Sequence, residues 1–243
     1  MVKYIVRKIQ GVDRFMINNA ERKSIIENLL KIGVEIPCPD GVIIEPTVRI
    51  GTGTIIMPNT ILLGDTRIGG GCVIGPNSYI VDTVVGNNTK LNNTQSFSSK
   101  IGSGVTAGPF VHIRPNTVIA DNVHIGNFVE VKNSVVDEGS KLPHLLYVGD
   151  SDVGKDVNFG CGCVTVNYDG RNKSRTVVKD GAFIGCNTNL VAPVTVGENA
   201  FTAAGSTITE DIPDNALAIA RSKQTIKEDW VNEKKPYKRQ HIK

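Results

Sequence analysis

Tryptophan occurs once in the 243 residues, and aromatic side chains make up only 5% of them. A core of packed rings is excluded, so the interior has to be built from Val, Ile, Leu and Ala. No apolar run is long enough to cross a bilayer. The N-terminus lacks a charged segment leading into an apolar stretch and a cleavage site, so no signal peptide is expected. Charge of one sign is also missing: 27 Lys and Arg face 24 Asp and Glu, a net +3. No Arg/Lys cluster alternates with aromatics, which argues against nucleic acid as a partner. The basic residues Lys234, Lys235, Lys238, Arg239 and Lys243 read as a solvated tail. Five cysteines, an odd number, include no CxxC; Cys161-Gly-Cys163 has no second pair to complete a zinc site. Free thiols and a cytoplasmic location are the expectation.

What the chain does have is a beat of six. Ile44, Ile50, Ile56, Leu62, Ile68, Ile74 and Ile80 recur at that interval. So do Ile101, Ala107, Ile113, Ile119, Ile125 and Val131, and then Val178, Ile184, Leu190, Val196, Thr202 and Ile208. A helix repeats at 3.6 and a simple strand at 2, whereas a period of six fits a parallel β-helix. Gly often follows the inward residue, as at Gly51, Gly69, Gly75, Gly126 and Gly185, where a tight corner would reject a Cβ or turn φ positive. Asn59, Asn77, Asn87, Asn88, Asn116 and Asn199 suit left-handed turn positions. If three hexads make one triangular coil, residues eighteen apart stack at about 4.8 Å.

The flanks read differently. Residues 13–32 suggest a helix with Phe15, Ile25, Ile26, Leu29 and Leu30 on one face, stopped by Gly33. Residues 1–41 are therefore expected to be an N-terminal helical segment and cap, 42–219 the hexad β-helix, and 220–243 a polar tail. A cap hides the open end of a solenoid.

Two stretches disturb the beat. One lies around Leu142–Val153 and holds His144 beside Tyr147. The other, NYDGRNKSRT at 167–176, adds seven residues and carries turn chemistry, so it reads as an extruded loop suited to binding. A neutral surface insertion is the alternative. Arg114 and Lys132 are eighteen apart and should project from one edge on adjacent coils. Two cations about 5 Å apart repel by a few kcal/mol at surface dielectric, which a phosphate between them would relieve; two solvated, splayed side chains are the other reading. Cys161, Cys186 and Ala204 fall on one line once the insertion is allowed for. That small-residue ladder is either a groove for something long and thin or the ordinary preference of a β-helix face. His112 and His124 belong to different faces of one coil, so three imidazoles should not converge on a metal.

The stretches GPFVHIRPNT, GNFVEVKNS, KLPHLLYVGD, VNFGCGCVTVNYDGRNK and TNLVAPVTVG with AAGSTIT closely resemble a known family. It is the acetyltransferase domain of the bacterial bifunctional N-acetylglucosamine-1-phosphate uridylyltransferase / glucosamine-1-phosphate acetyltransferase. The resemblance runs from about residue 10 to residue 230. It implies an all-β, left-handed parallel β-helix assembled as a homotrimer, with sites between subunits. It also implies acetyl transfer from acetyl-CoA to the amine of glucosamine 1-phosphate, with no metal. In that family's pattern His144 matches the general base. Arg114, Lys132, Tyr147 and Asn158 match sugar-phosphate positions, and Lys173 matches another active-site position. Cys161, Asn167, Tyr168, Cys186, Ala204 and Arg221 match acetyl-CoA contacts. The alternatives are another amino sugar phosphate, such as galactosamine 1-phosphate or a nucleotide-linked amino sugar, or an inactive trimeric scaffold.

There are departures. Pro143 stands where the family usually has Gly and removes a donor. Cys161 and Cys163 replace small uncharged residues, and Cys186 replaces a serine, a better hydrogen-bond donor. No nucleotidyltransferase domain is present, although IQGVDRF resembles its tail end. The expectation is either a one-activity enzyme or half of a longer protein.

Overall fold

The computed structural model describes residues 17–234, preceded by the antiparallel strands Arg7–Ile9 and Val12–Arg14. Phe15, Lys235, Lys238, Arg239, His241 and Lys243 lie outside the described residues. Two- and three-residue strands dominate the chain, and they pair in parallel with their counterparts one coil away. Ile50 faces Ile68, and Ile56 faces Ile74, each pair eighteen apart. The architecture is the expected parallel β-helix.

Every inward hexad residue from Ile44 to Ile80 is at most 7% exposed, and the same core continues through Ile113, Ile125, Ile184 and Leu190. Burial of each such side chain contributes about 1.5–3 kcal/mol. Short strands alone would be marginal; stacking supplies one continuous column of aliphatic contact. Buried Thr and Ser hydroxyls next to the corners tie the coils together, as Thr54 Oγ1 does by donating to the Gly69 carbonyl at 2.7 Å and Ser140 Oγ to Gly154 at 2.7 Å.

The coil is not always eighteen residues. Val85 faces Ile101 sixteen residues on, and Asn127 faces His144 seventeen on. Corners therefore lose a residue without disturbing the inward column. Pairs that span the loop, from Ser151 with Thr176 to Val166 with Val191, are farther apart, at twenty-five, because the loop bulges between them.

The corners form vertical columns of left-handed residues. One runs Gly41, Asn59, Asn77, Asn93, Phe110, Phe128, Leu145, Gly162, Asn187 and Gly205, all with positive φ. A second includes Gly53, Gly71, Asn88, Gly104 and Asn122, and a third Gly64, Asp82, Ser98, Asn116, Asn133 and Asp150. Asn59, Asn77, Asn88, Asn116 and Asn199 adopt the expected conformation. Asn87 does not: its Oδ1 instead accepts the Gly70 N–H at 2.8 Å, and its neighbour Asn88 makes the turn.

The N-terminal helix α1 spans Asn19–Lys31, shorter than the segment the pattern suggests. Asn18 sets its start. The Asn18 side chain accepts from Ala20 and Glu21 N–H at 3.0 Å, and Glu21 accepts from Asn18 N–H in return, a capping box. Ile26 and Leu29 face the first coil, whereas Leu30 is 48% exposed and off the buried face. Gly33, at φ 82°, ends the helix. At the other end the last coil strand is Leu217–Ala218, and a short helix α2, Trp230–Lys234, follows. Ile226, Trp230 and Val231 are exposed in this segment. No helix among the described residues is long and apolar enough to cross a membrane.

Candidate functional site

His144 sits in the strand Lys141–Gly149, which runs through a corner rather than stopping at it. The strand above, His124–Lys132, does the same, and places Asn127 opposite His144. A Cβ on Gly126 would collide with the Pro143 carbonyl oxygen, so only Gly lets the two strands close here. Pro143 has no ladder N–H to offer. The strand pairs with the coil below at Lys141 and again at Tyr147. The imidazole of His144 is exposed, and its Nδ1 lies 2.9 Å from Asn127 Oδ1. An amide oxygen only accepts, so this contact needs a proton on Nδ1, and in the neutral ring the lone pair is then on Nε2.

Below His144 the corner continues as a stack. Gly162 N–H bonds the His144 carbonyl at 3.3 Å, Asn187 N–H bonds Cys161 at 2.7 Å, and Gly205 N–H bonds Cys186 at 2.8 Å. His144, Cys161, Cys186 and Ala204 therefore stand one above another. Cys186 Sγ lies against Gly160 in the coil above, and the Arg221 side chain lies against Gly205 at the foot of the stack. Cys163 is different from its two neighbours. It is buried, its Sγ bonds the Gly185 carbonyl at 3.0 Å, and burial pushes its pKa up to about 11. Cys161 is half-buried and Cys186 exposed.

A second cluster occupies the other end of the same side of the coil. Arg114 and Lys132 do stack on adjacent coils, as the register of Ile113 with Val131 requires. They are not two bare cations. Arg114 Nη1 meets Glu130 Oε1 at 2.8 Å, and Lys132 Nζ meets Asp150 Oδ2 at 3.0 Å. The repulsion argued from sequence is largely neutralised by two carboxylates that the spacing did not single out. Burial works against the Lys132 charge, but the Asp150 carboxylate outweighs it and its pKa is raised. Asp150 answers in kind: burial would raise its pKa, yet hydrogen bonds from Asn133, Lys132 and Asn167 hold it below the usual carboxylate range. Lys173 lies close enough to Lys132 to act on it. The Tyr147 ring folds over Gly149, and its hydroxyl is 3.5 Å from Asn167 Nδ2.

The loop at 167–176 replaces the third corner directly beneath Asp150. Asp169 Oδ1 accepts the Arg171 and Asn172 N–H groups, which hold its carboxyl below the ordinary range. Arg175 pins the loop's far end, with Nε on Asp152 at 2.9 Å and Nη2 on the Ser151 carbonyl at 3.0 Å. In regular coils Ser134 and Ser151 hydroxyls donate to the carbonyls two residues back, Lys132 at 2.8 Å and Gly149 at 2.9 Å. Thr176 follows the loop instead of a regular corner, and its buried hydroxyl is left without a partner among the described residues.

One chain thus brings together Arg114, Lys132, Tyr147, Asn167 and Lys173, and separately His144, Cys161, Cys186, Ala204 and Arg221. Tyr168 is exposed on the loop, 54% accessible. Asn158 is not with the cation cluster. It pairs with Lys141 and Phe183 on the preceding side of the prism. His112 packs edge-on against Phe97, and His124 Nδ1 bonds Thr106 at 2.8 Å, so neither converges on His144. No group of His, Cys, Asp or Glu side chains suited to hold a metal is found among the described residues. Asn127, Glu130 and Asp150 were missed in the sequence. The seventeen-residue offset that pairs Asn127 with His144 would have found the first, had the coil length not been fixed at eighteen.

Residues 47–82, 98–133 and 175–210 match the family described as bacterial transferase hexapeptide (six repeats). His144 and the loop as far as residue 174 fall in the interval between the second and third matches. The chain is 55% identical over 231 residues to the bifunctional protein GlmU of Caldanaerobacter subterraneus subsp. tengcongensis, covering 93% of this chain and 50% of that one. It is 53% identical over 223 residues to the bifunctional protein GlmU of Geobacillus sp., covering 90% and 49%. The chain spans about half the length of these relatives. The UDP-N-acetylglucosamine acyltransferase of Bacteroides fragilis superposes with a TM-score of 0.47 at 21% identity, over 72% of this chain and 68% of that one.

Proposed function

The chain belongs to the family of the bifunctional GlmU proteins, matching their C-terminal part, and from that premise we propose that it transfers acetyl from acetyl-CoA to the amine of glucosamine 1-phosphate. The observation that carries the reading is the His144–Asn127 contact at 2.9 Å. An exposed imidazole held with Nδ1 protonated presents Nε2 as a proton acceptor, which amide formation from an amine requires. The amine nitrogen attacks the thioester carbonyl as Nε2 takes its proton. The tetrahedral oxyanion collapses, the C–S bond breaks, and the departing thiolate of CoA receives the proton. The thioester supplies its own leaving group, so a covalent enzyme intermediate is unnecessary.

Each remaining group has a role in this proposal. Arg114, Lys132, Tyr147 and Lys173 bind the sugar phosphate. The small stack of Cys161, Cys186 and Ala204, with Asn167, Tyr168 and Arg221, lies along the acetyl-CoA channel. Asn158 joins the acceptor site from its own side of the prism, which a homotrimer with sites between subunits accommodates. Phe110, Phe128 and Leu145 support that assembly: they project beside His144, each more than half exposed, and the two Phe rings stack at 5.2 Å. The proposed setting is a cytoplasmic one.

Release of free thiol from acetyl-CoA tests the reading, measured against a panel containing glucosamine 1-phosphate, galactosamine 1-phosphate and nucleotide-linked amino sugars. Glucosamine 1-phosphate is expected to be the best acceptor, with His144→Ala lowering kcat by about 10²–10⁴-fold at unchanged thermal stability. No release with any acceptor would favour an inactive scaffold, a better rate with another amino sugar would reassign the acceptor, and equal rates from the variant would remove His144 from the chemistry.

A further inference from the structure

We propose that Asp150 is a positioning residue that couples the acceptor and acyl-donor sides of the site. The inference rests on the acetyl-transfer reading. Asp150 takes the last left-handed position of its corner column, at φ 49°, and is only 4% exposed. Its carboxylate receives three donors from two separate segments. Lys132 Nζ reaches it from the end of the strand above, Asn133 Nδ2 from the corner above, and Asn167 Nδ2 from the first residue of the extruded loop. Its backbone is engaged as well. Asp150 N–H bonds the Lys132 carbonyl at 2.9 Å, and Thr176 N–H bonds the Asp150 carbonyl at 3.2 Å. Both ends of the loop are therefore held by this one residue, the start through its side chain and the end through its main chain.

The chemistry of the donors gives this arrangement a consequence. A lysine ammonium has three N–H donors on a flexible stem. Fixing one on Asp150 limits how the other two can turn, and an anion arriving beside Arg114 on the adjacent coil meets a lysine whose position is already set. The same carboxylate holds Asn167, a residue placed on the acetyl-CoA side. A shift of Lys132 when phosphate binds is then transmitted through Oδ2 to Asn167 and the loop. A buried ion pair kept only for stability would need the lysine; it would not need a second tie to the residue that opens the loop.

Steady-state kinetics with both co-substrates, on the full chain, test this. Asp150→Asn keeps the shape and removes the charge. It is expected to raise KM for the sugar phosphate and KM for acetyl-CoA together by about tenfold or more, with a larger fall in kcat/KM from misplacement. Lys132→Met alone raises the sugar-phosphate KM, and Asn167→Ala alone raises the acetyl-CoA KM. In the Asp150 background their effects on kcat/KM depart from additivity by about fivefold or more, and in the Asp150→Asn background they add. If Asp150→Asn fails to fold, the cycle between Lys132→Met and Asn167→Ala still measures the coupling. Additive effects in the native background overturn the inference. So does an Asp150→Asn enzyme that loses thermal stability while both KM values stay within about twofold of the native ones, since no coupling is then lost. An unsubstituted protein that acetylates no acceptor removes the acetyl-transfer reading itself, and this inference with it.

Discussion

The same corner of the prism is built in two ways along its length. In the first coils it holds Gly41, Asn59, Asn77 and Asn93; beside His144 it holds Phe110, Phe128 and Leu145; afterwards it returns to Gly162, Asn187 and Gly205. All have positive φ, so the backbone is the same and only the side chains differ. Gly and Asn adopt that conformation easily, whereas for a bulky side chain it is an outlier. In the first stretch Asn59 Nδ2 bonds Asn77 Oδ1 and Asn77 Nδ2 bonds Asn93 Oδ1, both at 3.2 Å. In the second the side chains are apolar and 53–58% exposed. A single column thus changes from a self-satisfied amide ladder to a strained, water-facing apolar one only where the candidate site lies. Strain and exposed apolar surface concentrated in one place indicate function rather than stability.

The largest expected effect comes from erasing that difference. The triple variant Phe110→Asn, Phe128→Asn, Leu145→Asn gives the site coils the corner of the first coils. Truncating buried interface anchors costs about 2 kcal/mol or more each, so the proposed trimer should dissociate at micromolar protein and acetyl transfer should be lost with it. The protomer itself should keep its β signature and melt no earlier than the native protomer. Sedimentation equilibrium reads the mass. An unchanged trimer, or a native protein that is already monomeric, would break the link between this column and assembly.

Next in size are core truncations in the two regions. Leu62 and Leu142 are both fully buried on the inward column. Leu62→Ala and Leu142→Ala should each destabilise by about 2–5 kcal/mol in denaturant unfolding. Their effects on activity should differ, since Leu142 lies two residues before His144 and Leu62 lies more than four coils away. Equal activity in the folded fractions of both would mean that the site coils tolerate repacking as well as the first coils do.

A smaller change probes the amide ladder. Asn77→Ala places a Cβ-bearing residue with no local hydrogen bond at φ 54°, and should cost about 1–2 kcal/mol. Asn77→Gly restores the conformational freedom and should recover most of that loss. If Ala and Gly behave alike, the ladder hydrogen bonds rather than the left-handed conformation are what the asparagines supply.

The ease of reading these two regions from sequence differs for the same physical reason. The inward column was legible because burial imposes a strict period on Ile44 through Ile80. Arg114 and Lys132 were legible because they share a coil length near eighteen with that column. The helix start was not: Phe15 and its neighbours continue the apolar pattern, and only the Asn18–Glu21 capping box fixes the boundary. Asn127 was illegible because corners shorten locally. Val85–Ile101 and Asn127–His144 run at sixteen and seventeen, so vertical neighbours cannot be counted at a fixed step where the side chains that matter sit. The carboxylate partners Glu130 and Asp150 went unseen because a ladder argument follows one residue type down a column, and charge compensation crosses between columns.

The smallest effect at neutral pH emerges only in acid. The amide corner of the first coils has nothing to titrate, whereas the third corner ends on a buried carboxylate held below the ordinary Asp range, against the effect of burial, by Asn133, Lys132 and Asn167. A depressed folded pKa means that the unfolded chain binds the proton first, so the contribution is complete above the unfolded value, about 3.9. It is lost as pH falls through the lower folded value. The stability difference between the native protein and Asp150→Asn should therefore be flat from neutral pH down to about pH 5 and shrink below about pH 4. Over the same acid range hydrogen exchange should open the coils around Lys132–Thr176 before those around Ile44–Ile80. A stability difference that persists unchanged to about pH 3, well below the unfolded value, would mean that the carboxylate charge contributes nothing to holding Lys132 and the loop. The two regions would then differ in shape alone.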